Sequence, residues 1–460
     1  MRVLKFGGTS VGTVRSLSNV KKIVESIEEP CVVVVSALGG LTDRLIAGAE
    51  MARDGNAEYH REVETARRRH LEIIEALLSP PRRKDITARI EELLAELTRL
   101  YEGIALLGDL TDRTLAQVVS FGERMSSPLV AEIIENATYY HSPDFIRTER
   151  WFNKNIADTA LTDRLIKETL GDGGFRRAVT GGFISTDRDT GEITNLGRGG
   201  SDYTAALIAA ALGARVLEIW TDVDGFMTAD PRLIPDAFVV RHMTFIESME
   251  LCTMGAKVIY PPTIYPVFHK NIPIRILNTF NPEAEGTWIT DEHHGHALVV
   301  KGISAVRDTT LISVQAQGRD STDTASRAVN AMAKNGVSVY LVNSHERDAG
   351  FAFAVAAPDS GIAVKILTDE FGPELSRGEM ENISVSYKLA TIAVVGEGMK
   401  KRREMQESLL RGLAASGIRV LATSDGTSDT TLAVVVPADE ADRAIETLHC
   451  LLFADKTVGK

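Results

Sequence analysis

Lys5 stands two residues before a run of small residues, Gly7-Gly8-Thr9-Ser10, at the end of the apolar segment Val3-Leu4-Lys5-Phe6. Glycines after a strand let backbone N–H groups approach an anion, and a following helix adds a favourable dipole. A lysine adds a mobile positive charge for phosphate oxygens. The spacing is neither GxxxxGK(S/T) nor GxGxxG, and a plain strand-to-helix turn with an exposed lysine would read the same. A second cluster is Asn195-Leu196-Gly197-Arg198-Gly199-Gly200-Ser201-Asp202-Tyr203. A guanidinium suits a carboxylate. Ser201 and Asp202 sit where caps would open a helix over about Thr204 to Leu212, but capping does not explain Arg198 between glycines.

Other candidates are weaker alone. Trp220-Thr221-Asp222-Val223-Asp224-Gly225 follows an apolar run, and Asp230-Pro231-Arg232 comes soon after. Polar groups at strand ends are where α/β sheets hold ligands, although an Asx turn has the same sequence. Lys257, in Met254-Gly255-Ala256-Lys257-Val258, reads equally as a surface lysine. Glu123, beside Gly122, is expected at the head of a helix, where a first-turn carboxylate is favourable. Thr42-Asp43, after Gly39-Gly40, reads as an N-cap.

The elements that must position these residues alternate from the start. Cys31 to Val35 is a continuous β-branched run, as expected for a strand buried on both faces. It ends in Ser36-Ala37-Leu38-Gly39-Gly40. Strand, glycine turn and helix in alternation imply a parallel sheet covered by helices. Over about 43–107 the pattern changes. Ile86, Ile90, Leu93, Leu94, Leu97 and Leu100 recur at steps of three and four, which predicts an amphipathic helix. Pro80-Pro81 separates it from an earlier helix around 58–78, and the block reads as an insertion near the mouth of the sheet. Alternation resumes with apolar segments near 178–184, 215–220 and 272–277. Residues 281–297, with Asn281-Pro282 and a run rich in histidine, read as a domain junction.

Sliding the sequence along itself exposes a repeat at an offset of 81 residues. Leu311–Val314 lies over Ile392–Val395, Gly336–Val339 over Gly417–Val420, and Phe351–Val355 over Leu432–Val436. Each copy reads strand, helix, glycine, strand, loop, strand.

Composition excludes several classes. The 460 residues carry 63 acidic and 51 basic side chains, a formal net charge of −12. That balance argues against a general nucleic-acid binder. The 44% hydrophobic share is too high for disorder. No stretch approaches the roughly 20 apolar residues of a membrane helix, and the N-terminus does not read as a signal peptide. Cys31, Cys252 and Cys450 form neither a disulfide framework nor a CxxC site, so a cytoplasmic location is expected. Gly396-Glu397-Gly398 imitates a dinucleotide fingerprint, but Lys401 stands where the third glycine belongs. His293, His294 and His296 lack a credible fourth metal ligand nearby and read as a solvated loop.

Taken together, these residues resemble the aspartate kinase family of the amino-acid kinase superfamily. Lys5-Phe6-Gly7-Gly8-Thr9-Ser10 matches its opening motif. Ser36-Ala37, Phe121-Gly122-Glu123-Arg124, Leu196 to Tyr203, Trp220-Thr221-Asp222, Asp230-Pro231-Arg232 and Gly255-Ala256-Lys257 match its later landmarks in order. The resemblance implies an α/β fold with a mostly parallel sheet sandwiched by helices, followed by two α+β ACT-like (βαββαβ) modules. The implied domains are a kinase domain over 1–295, a first ACT-like module over 308–385, and a second built from 297–307 plus 386–460.

It also implies transfer of the ATP γ-phosphoryl group to the β-carboxylate of L-aspartate, the first step of lysine, threonine and methionine biosynthesis. Lys5 would stabilise the transferring phosphoryl group and Asp202 would organise that lysine. Thr42, Glu123, Arg198, Gly199 and Ser201 would hold aspartate, with Arg198 on a carboxylate and Glu123 near the ammonium. Lys5, Gly7, Gly8, Ser10, Thr221, Asp222, Met227, Arg232, Lys257 and Val258 would contact ATP. Mg²⁺ would come with ATP, held mainly by its phosphates. No protein metal site, nucleic acid or membrane is implied. The implied partners are a lysine or threonine effector and further copies of the chain, as a homodimer or homotetramer through the ACT modules. The chain ends at Lys460, with no fused homoserine dehydrogenase expected. Met227 replaces a common tyrosine and Asn195 a common threonine. Arg319-Asp320-Ser321 follows Gly318 in place of an apolar helix start. Tyr340 stands where lysine-sensing relatives carry an aspartate, and Thr430-Thr431 replaces an Asn-Ile pair, so the effector stays open. Two other readings compete: a superfamily kinase for another acceptor, and a non-catalytic amino-acid sensor. Joint retention of Lys5, Arg198, Asp202 and Lys257 favours the kinase.

Overall fold

The computed structural model describes residues 1–151, 154–291, 298–315, 321–345, 350–380, 383–397, 399, 403–424 and 429–457. Two compact units emerge, one formed by Met1–Phe226 and Val258–Glu292, the other by Met227–Lys257 and His293–Lys460. A boundary near 295 would place 227–257 with the kinase core. By contact, this segment instead folds with the second unit. Its Ala229, Ile234 and Ala237 are buried among Val300, Ile303 and Ile392.

The main sheet of the first unit runs Thr287–Thr290, Ile274–Asn278, Val216–Thr221, Arg2–Phe6, Cys31–Val35, Arg177–Gly181, Ala137–Tyr140. All neighbours are parallel except the antiparallel pair Thr287–Thr290 and Ile274–Asn278. Cys31–Val35 is buried along its whole length, as its unbroken valines require. The parallel register aligns Phe6 with Val35 and Trp220, Val35 with Gly181, and Thr221 with Asn278. Six strands therefore release their C-terminal loops along one edge, where such sheets hold ligands. A smaller sheet, Lys154–Ala157, Arg147–Trp151, Ile184–Asp187 and Ile193–Asn195, adjoins in sequence.

The helical block folds as Leu41–Arg53, Tyr59–Leu77 and Pro80–Leu107. Pro80 and Pro81 occupy the first turn of the long helix, where a missing N–H costs nothing. Ile86, Ile90, Leu94 and Leu97 are buried in the same core as Phe6 and Val33. At the opposite, N-terminal edge of the sheet, the buried Arg177 closes the unit without a carboxylate. Its guanidinium donates to the carbonyls of Val24 (3.3 Å), Glu135 (2.9 Å) and Glu25 (3.1 Å).

In the second unit the repeat is structural. Helices Ser321–Lys334 and Arg403–Ala415, strands Gly350–Ala356 and Thr431–Pro437, and helices starting at Ser360 and Ala441 recur along the chain. The sheet order is Val339–His345, Gly350–Ala356, Val300–Gln315, Ser384–Gly396, Thr431–Pro437, Ala422–Ser424. The two central strands are long and pair antiparallel. Val300 and Ile303 enter one core with Leu409 and Leu432, whereas Ile312 and Val314 enter another with Met332 and Phe353. The change of core falls at irregular backbone: Asp308 and Lys388 have positive φ (64° and 58°), and the register shifts around Thr309.

Arg177→Met should lower the unfolding free energy of the first unit by about 3 kcal/mol, because three buried carbonyls lose their donor. Urea titration followed by tryptophan fluorescence measures this. Arg177→Lys should recover less than half of the loss, since an ammonium does not fork.

Candidate active site

Lys5 lies at the last turnout of a buried strand, and its ammonium Nζ is 2.5 Å from Asp202 Oδ1, with both side chains about nine-tenths buried (12% and 11% exposed). The pair opens into a cavity of about 340 Å³ lined by Gly8, Ser36 to Gly40, Thr42, Asp43, Glu123, Phe183 and Gly197 to Asp202. Lys5, Gly8, Thr42, Glu123, Arg198, Gly199, Ser201 and Asp202 are thus brought together, from three strand-end segments and the interior of one helix.

Local structure differs from the capping expectations. The helix begins at Gly200 rather than near Thr204, and its N-cap is Gly199 in the left-handed conformation (φ 69°) with no side-chain cap. Ser201 and Asp202 therefore sit inside the first turn, and the N-terminal dipole favours the Asp202 carboxylate there. A Cβ on Gly199 would fall 2.2 Å from that of Tyr260, and one on Gly182 would fall 2.5 Å from the Ser201 Cα. Gly40, also left-handed (φ 72°), caps Leu41–Arg53, so Thr42 is a first-turn residue and no cap.

Glu123 is not at a helix head. It lies in the middle of the 22-residue helix Asp112–Ile133. Gly122 lets that helix approach: a Cβ there would meet the Ala37 Cβ at 2.6 Å. The closeness allows Glu123 Oε1 to accept the Ala37 N–H at 3.0 Å, while Oε2 is buried without a partner. Burial raises the Glu123 carboxyl to about 8, against the lowering effects of the Ala37 N–H and the Lys5 charge. Arg198 is exposed at the rim and forms no ion pair among the described residues.

The glycines after Phe6 have a packing role. Gly39 donates its N–H to the Gly8 carbonyl at 2.9 Å. A Cβ on Gly8 would lie 3.3 Å from the Gly39 Cα, and one on Gly12 would lie 3.0 Å from the Gly8 carbonyl oxygen. Two strand-end loops thus touch through backbone alone. Ser10 turns inward: its buried hydroxyl meets Thr279 Oγ1 at 2.7 Å and the Trp220 carbonyl at 3.4 Å. Its N–H is taken by the Gly7 carbonyl. No free group of Ser10 is left for a phosphate.

Gly7, Thr221, Asp222 and Val258 belong to the first unit but do not line the cavity. Thr221 Oγ1 donates to Asp222 Oδ1 at 3.2 Å at the end of their strand. Met227, Arg232 and Lys257 belong to the second unit. Met227 packs beside its core, Lys257 is exposed, and Arg232 grips Asp230 through two bonds of 3.0 and 2.7 Å. That grip holds the Asp230 carboxyl below its usual range. His293, His294, His296, Gly318, Arg319, Asp320, Gly398 and Lys401 lie outside the described residues. Phe183 was missed in the sequence. It lines the cavity with φ 65°, a conformation uncommon outside glycine, and the signal was its place right after Gly181-Gly182.

A second cavity of about 500 Å³ lies between Arg99, Arg124 and His141. Arg124 is already paired with both oxygens of Glu96 (3.2 and 2.8 Å) and stacked on Phe121. Its cation is neutralised, unlike that of Arg198.

A parallel sheet with a lysine, an arginine and a buried carboxyl at its C-terminal edge is the architecture of a small-molecule phosphotransferase. The description "Amino acid kinase family" matches residues 1–278, and "ACT domain" matches residues 392–452. The lysine-sensitive aspartokinase 3 of Escherichia coli is 31% identical, over 98% of this chain and 99% of that one. A bifunctional aspartokinase/homoserine dehydrogenase of Haemophilus influenzae is 32% identical over 100% of this chain, which spans 57% of that protein. The solved E. coli aspartokinase III in complex with aspartate and ADP superposes with a TM-score of 0.85 at 28% identity, covering 98% of this chain and 100% of that one. The chain belongs to the amino acid kinase family, among its aspartokinases. Among the described residues no helix is long and apolar enough to cross a membrane.

The buried Glu123 makes a stability test. Its folded carboxyl titrates at about 8, above the ordinary 4.5 of a glutamate. The folded state therefore keeps a proton that the unfolded chain releases, and this stability is full below about 4.5 and lost as pH rises through 8. Glu123→Gln removes the effect. The melting temperature of the variant minus that of the wild-type protein should increase steadily from pH 5 to pH 8, by calorimetry.

Proposed function

We propose that this protein transfers the γ-phosphoryl group of ATP to the side-chain carboxylate of L-aspartate, giving 4-phospho-L-aspartate and ADP. The observation that carries the reading is the Lys5–Asp202 pair opening on a cavity that also holds an unpaired Arg198 and the unpartnered Oε2 of Glu123. Aspartate offers two carboxylates and one ammonium. Arg198 takes a carboxylate, with Ser201, Thr42 and the Gly199 backbone beside it. Glu123 Oε2 takes the ammonium, deprotonating as it does so. An oxygen of the other carboxylate attacks Pγ, the bond from Pγ to the bridging oxygen breaks, and ADP leaves with the electron pair. The nucleophile is already an anion, so no general base is required. Lys5, held in place by Asp202, stabilises the charge on the equatorial phosphoryl oxygens, where positioning and charge supply most of the catalysis.

ATP phosphates would lie against Gly7 and Gly8, with Thr221 and Asp222 toward the nucleoside. The parts of Met227, Arg232, Lys257 and Val258 rest on the resemblance. Among the described residues no group of three or more His, Cys, Asp or Glu side chains is arranged to hold a metal ion. As the resemblance implies, Mg²⁺ would enter with ATP and take phosphate oxygens and water as ligands. The ACT pair is proposed to bind an amino-acid effector, lysine or threonine, and to join copies of the chain as a dimer or tetramer in the cytoplasm.

ADP release measured with L-aspartate, L-glutamate, N-acetylglutamate and UMP as acceptors tests this. Turnover is expected with aspartate; turnover with another acceptor alone would refute the reading. Lys5→Ala should reduce kcat by at least about 10²-fold with circular dichroism unchanged, and lysine or threonine should lower the rate. Because Glu123 must lose its proton to take the ammonium, kcat/KM for aspartate should rise about tenfold per pH unit below pH 8 and level off above it.

A further inference from the structure

Leu277-Asn278-Thr279-Phe280 lies between the apolar segment 272–277 and the junction read from Asn281-Pro282 onward. In the structure it joins the Gly7–Ser10 turn to the end of the Thr221 strand. Thr279 is fully buried. Its hydroxyl meets the Ser10 hydroxyl at 2.7 Å. Its N–H donates to the Thr221 carbonyl at 2.9 Å, and its own carbonyl accepts from Asn19 Nδ2 at 3.1 Å. One residue therefore ties the Gly7–Ser10 turn, the end of the Thr221 strand and the helix Val14–Glu25.

Its neighbours complete the connection. Asn278 Nδ2 and Asn281 Nδ2 both donate to Asp224 Oδ1, at 2.8 and 3.1 Å. The Asn278 Oδ1 accepts the Phe280 N–H at 2.9 Å, which fixes the amide's orientation. The loop carrying Thr221 and Asp222 is thus held at both ends, by the Thr279 N–H and by Asp224. Gly7 donates to the Trp220 carbonyl at 3.2 Å, and the Ser10 hydroxyl lies against that same carbonyl. The two loops on which a nucleotide would rest form one hydrogen-bonded body.

We propose that Thr279 is a positioning residue for the nucleotide, its hydroxyl locking the Gly7–Ser10 turn to the Thr221-Asp222 strand end so that both loops meet ATP preformed. This rests on the phosphotransfer reading above. A preformed site spends less of its interaction energy on ordering, so loss of the lock weakens nucleotide binding more than aspartate binding: of the locked turn only Gly8 lines the aspartate cavity, whose other walls come from Ser36 to Gly40, Thr42, Asp43, Glu123, Phe183 and Gly197 to Asp202.

The test uses the full chain with Thr279→Val, which keeps the shape and loses the hydroxyl, and Thr279→Ser, which keeps the hydroxyl. Thr279→Val should raise both KM for ATP and the calorimetric Kd for MgADP about tenfold, the loss of roughly one buried hydrogen bond. KM for aspartate should stay within about twofold, and Thr279→Ser should restore the Val losses to within about threefold. Ser10→Ala breaks the same bond from the other side. In a double-mutant cycle with Thr279→Val its effect on MgADP affinity should be non-additive. An unchanged MgADP Kd in Thr279→Val would overturn the proposal, as would a parallel rise in both KM values with no rescue by serine. If the wild-type protein shows no turnover with aspartate, the phosphotransfer reading fails by itself, and the MgADP measurements still decide the role of Thr279.

Discussion

The contact between Lys5 and Asp202 constrains the rest of the catalytic unit. A lysine ammonium that is nine-tenths buried needs a fixed counter-charge to offset its lost hydration. Asp202 can supply that charge only if the first turn of its helix abuts the end of the central strand. The left-handed Gly199 delivers the chain at that angle, and the bare Gly182 lets the Ser201 backbone come within contact. The carboxylate also sits at the positive end of the helix dipole. A protein with net charge −12 thereby holds one cation at the floor of an open cavity and a second, Arg198, at its rim with no ion pair among the described residues. Local arrangement, not overall charge, makes the site attractive to anions.

Backbone proximity is the second constraint, and it gives the glycines a common explanation. Gly8, Gly12 and Gly39 let two strand-end loops touch main chain to main chain. Gly122 brings the Glu123 helix onto Ala37, so that an N–H reaches the carboxylate. These contacts decide the chemistry by setting burial. Glu123 is raised to about 8 because the helix presses it into the protein, and it retains an unpartnered oxygen because only one N–H is within reach. A side chain at Gly122 would push the helix off Ala37, open the site to water and return the Glu123 carboxyl toward its ordinary range.

Much of this was legible in the sequence, and the rest has physical reasons for being hidden. Cys31–Val35 announced a buried parallel strand because β-branched residues on both faces have no other stable setting. The 81-residue repeat announced paired modules because each copy repeats its buried positions. Several residues that line the cavity stand out in the sequence because capping does not explain Arg198 between glycines. The errors were of direction and boundary. Ser201, Asp202 and Thr42 resemble caps, but Gly199 and Gly40 assume that role through positive φ, which composition does not reveal. Glu123 was placed at a helix head because Gly122 resembles a break, whereas the glycine serves a close approach inside a long helix. Ser10 resembles a phosphate ligand, yet its partner Thr279 lies 269 residues away, beyond any local pattern. Phe183 left no trace except the glycines before it.

The second unit shows why 227–257 could not be assigned by its position in the chain. Its two central strands each serve two cores, changing allegiance near the positive-φ residues Asp308 and Lys388. Neither module has a complete sheet without the other's strand, so the pair should fold as one cooperative body. The core under Val300 and Ile392 is still incomplete without Ala229, Ile234 and Ala237. Ile303 donates its N–H to the Thr228 carbonyl at 2.8 Å, and the Thr228 hydroxyl meets His449 Nε2 at 3.0 Å. A segment that continues the chain of the catalytic sheet therefore supplies one wall of the ACT-type core, and its apolar residues belong where they are buried.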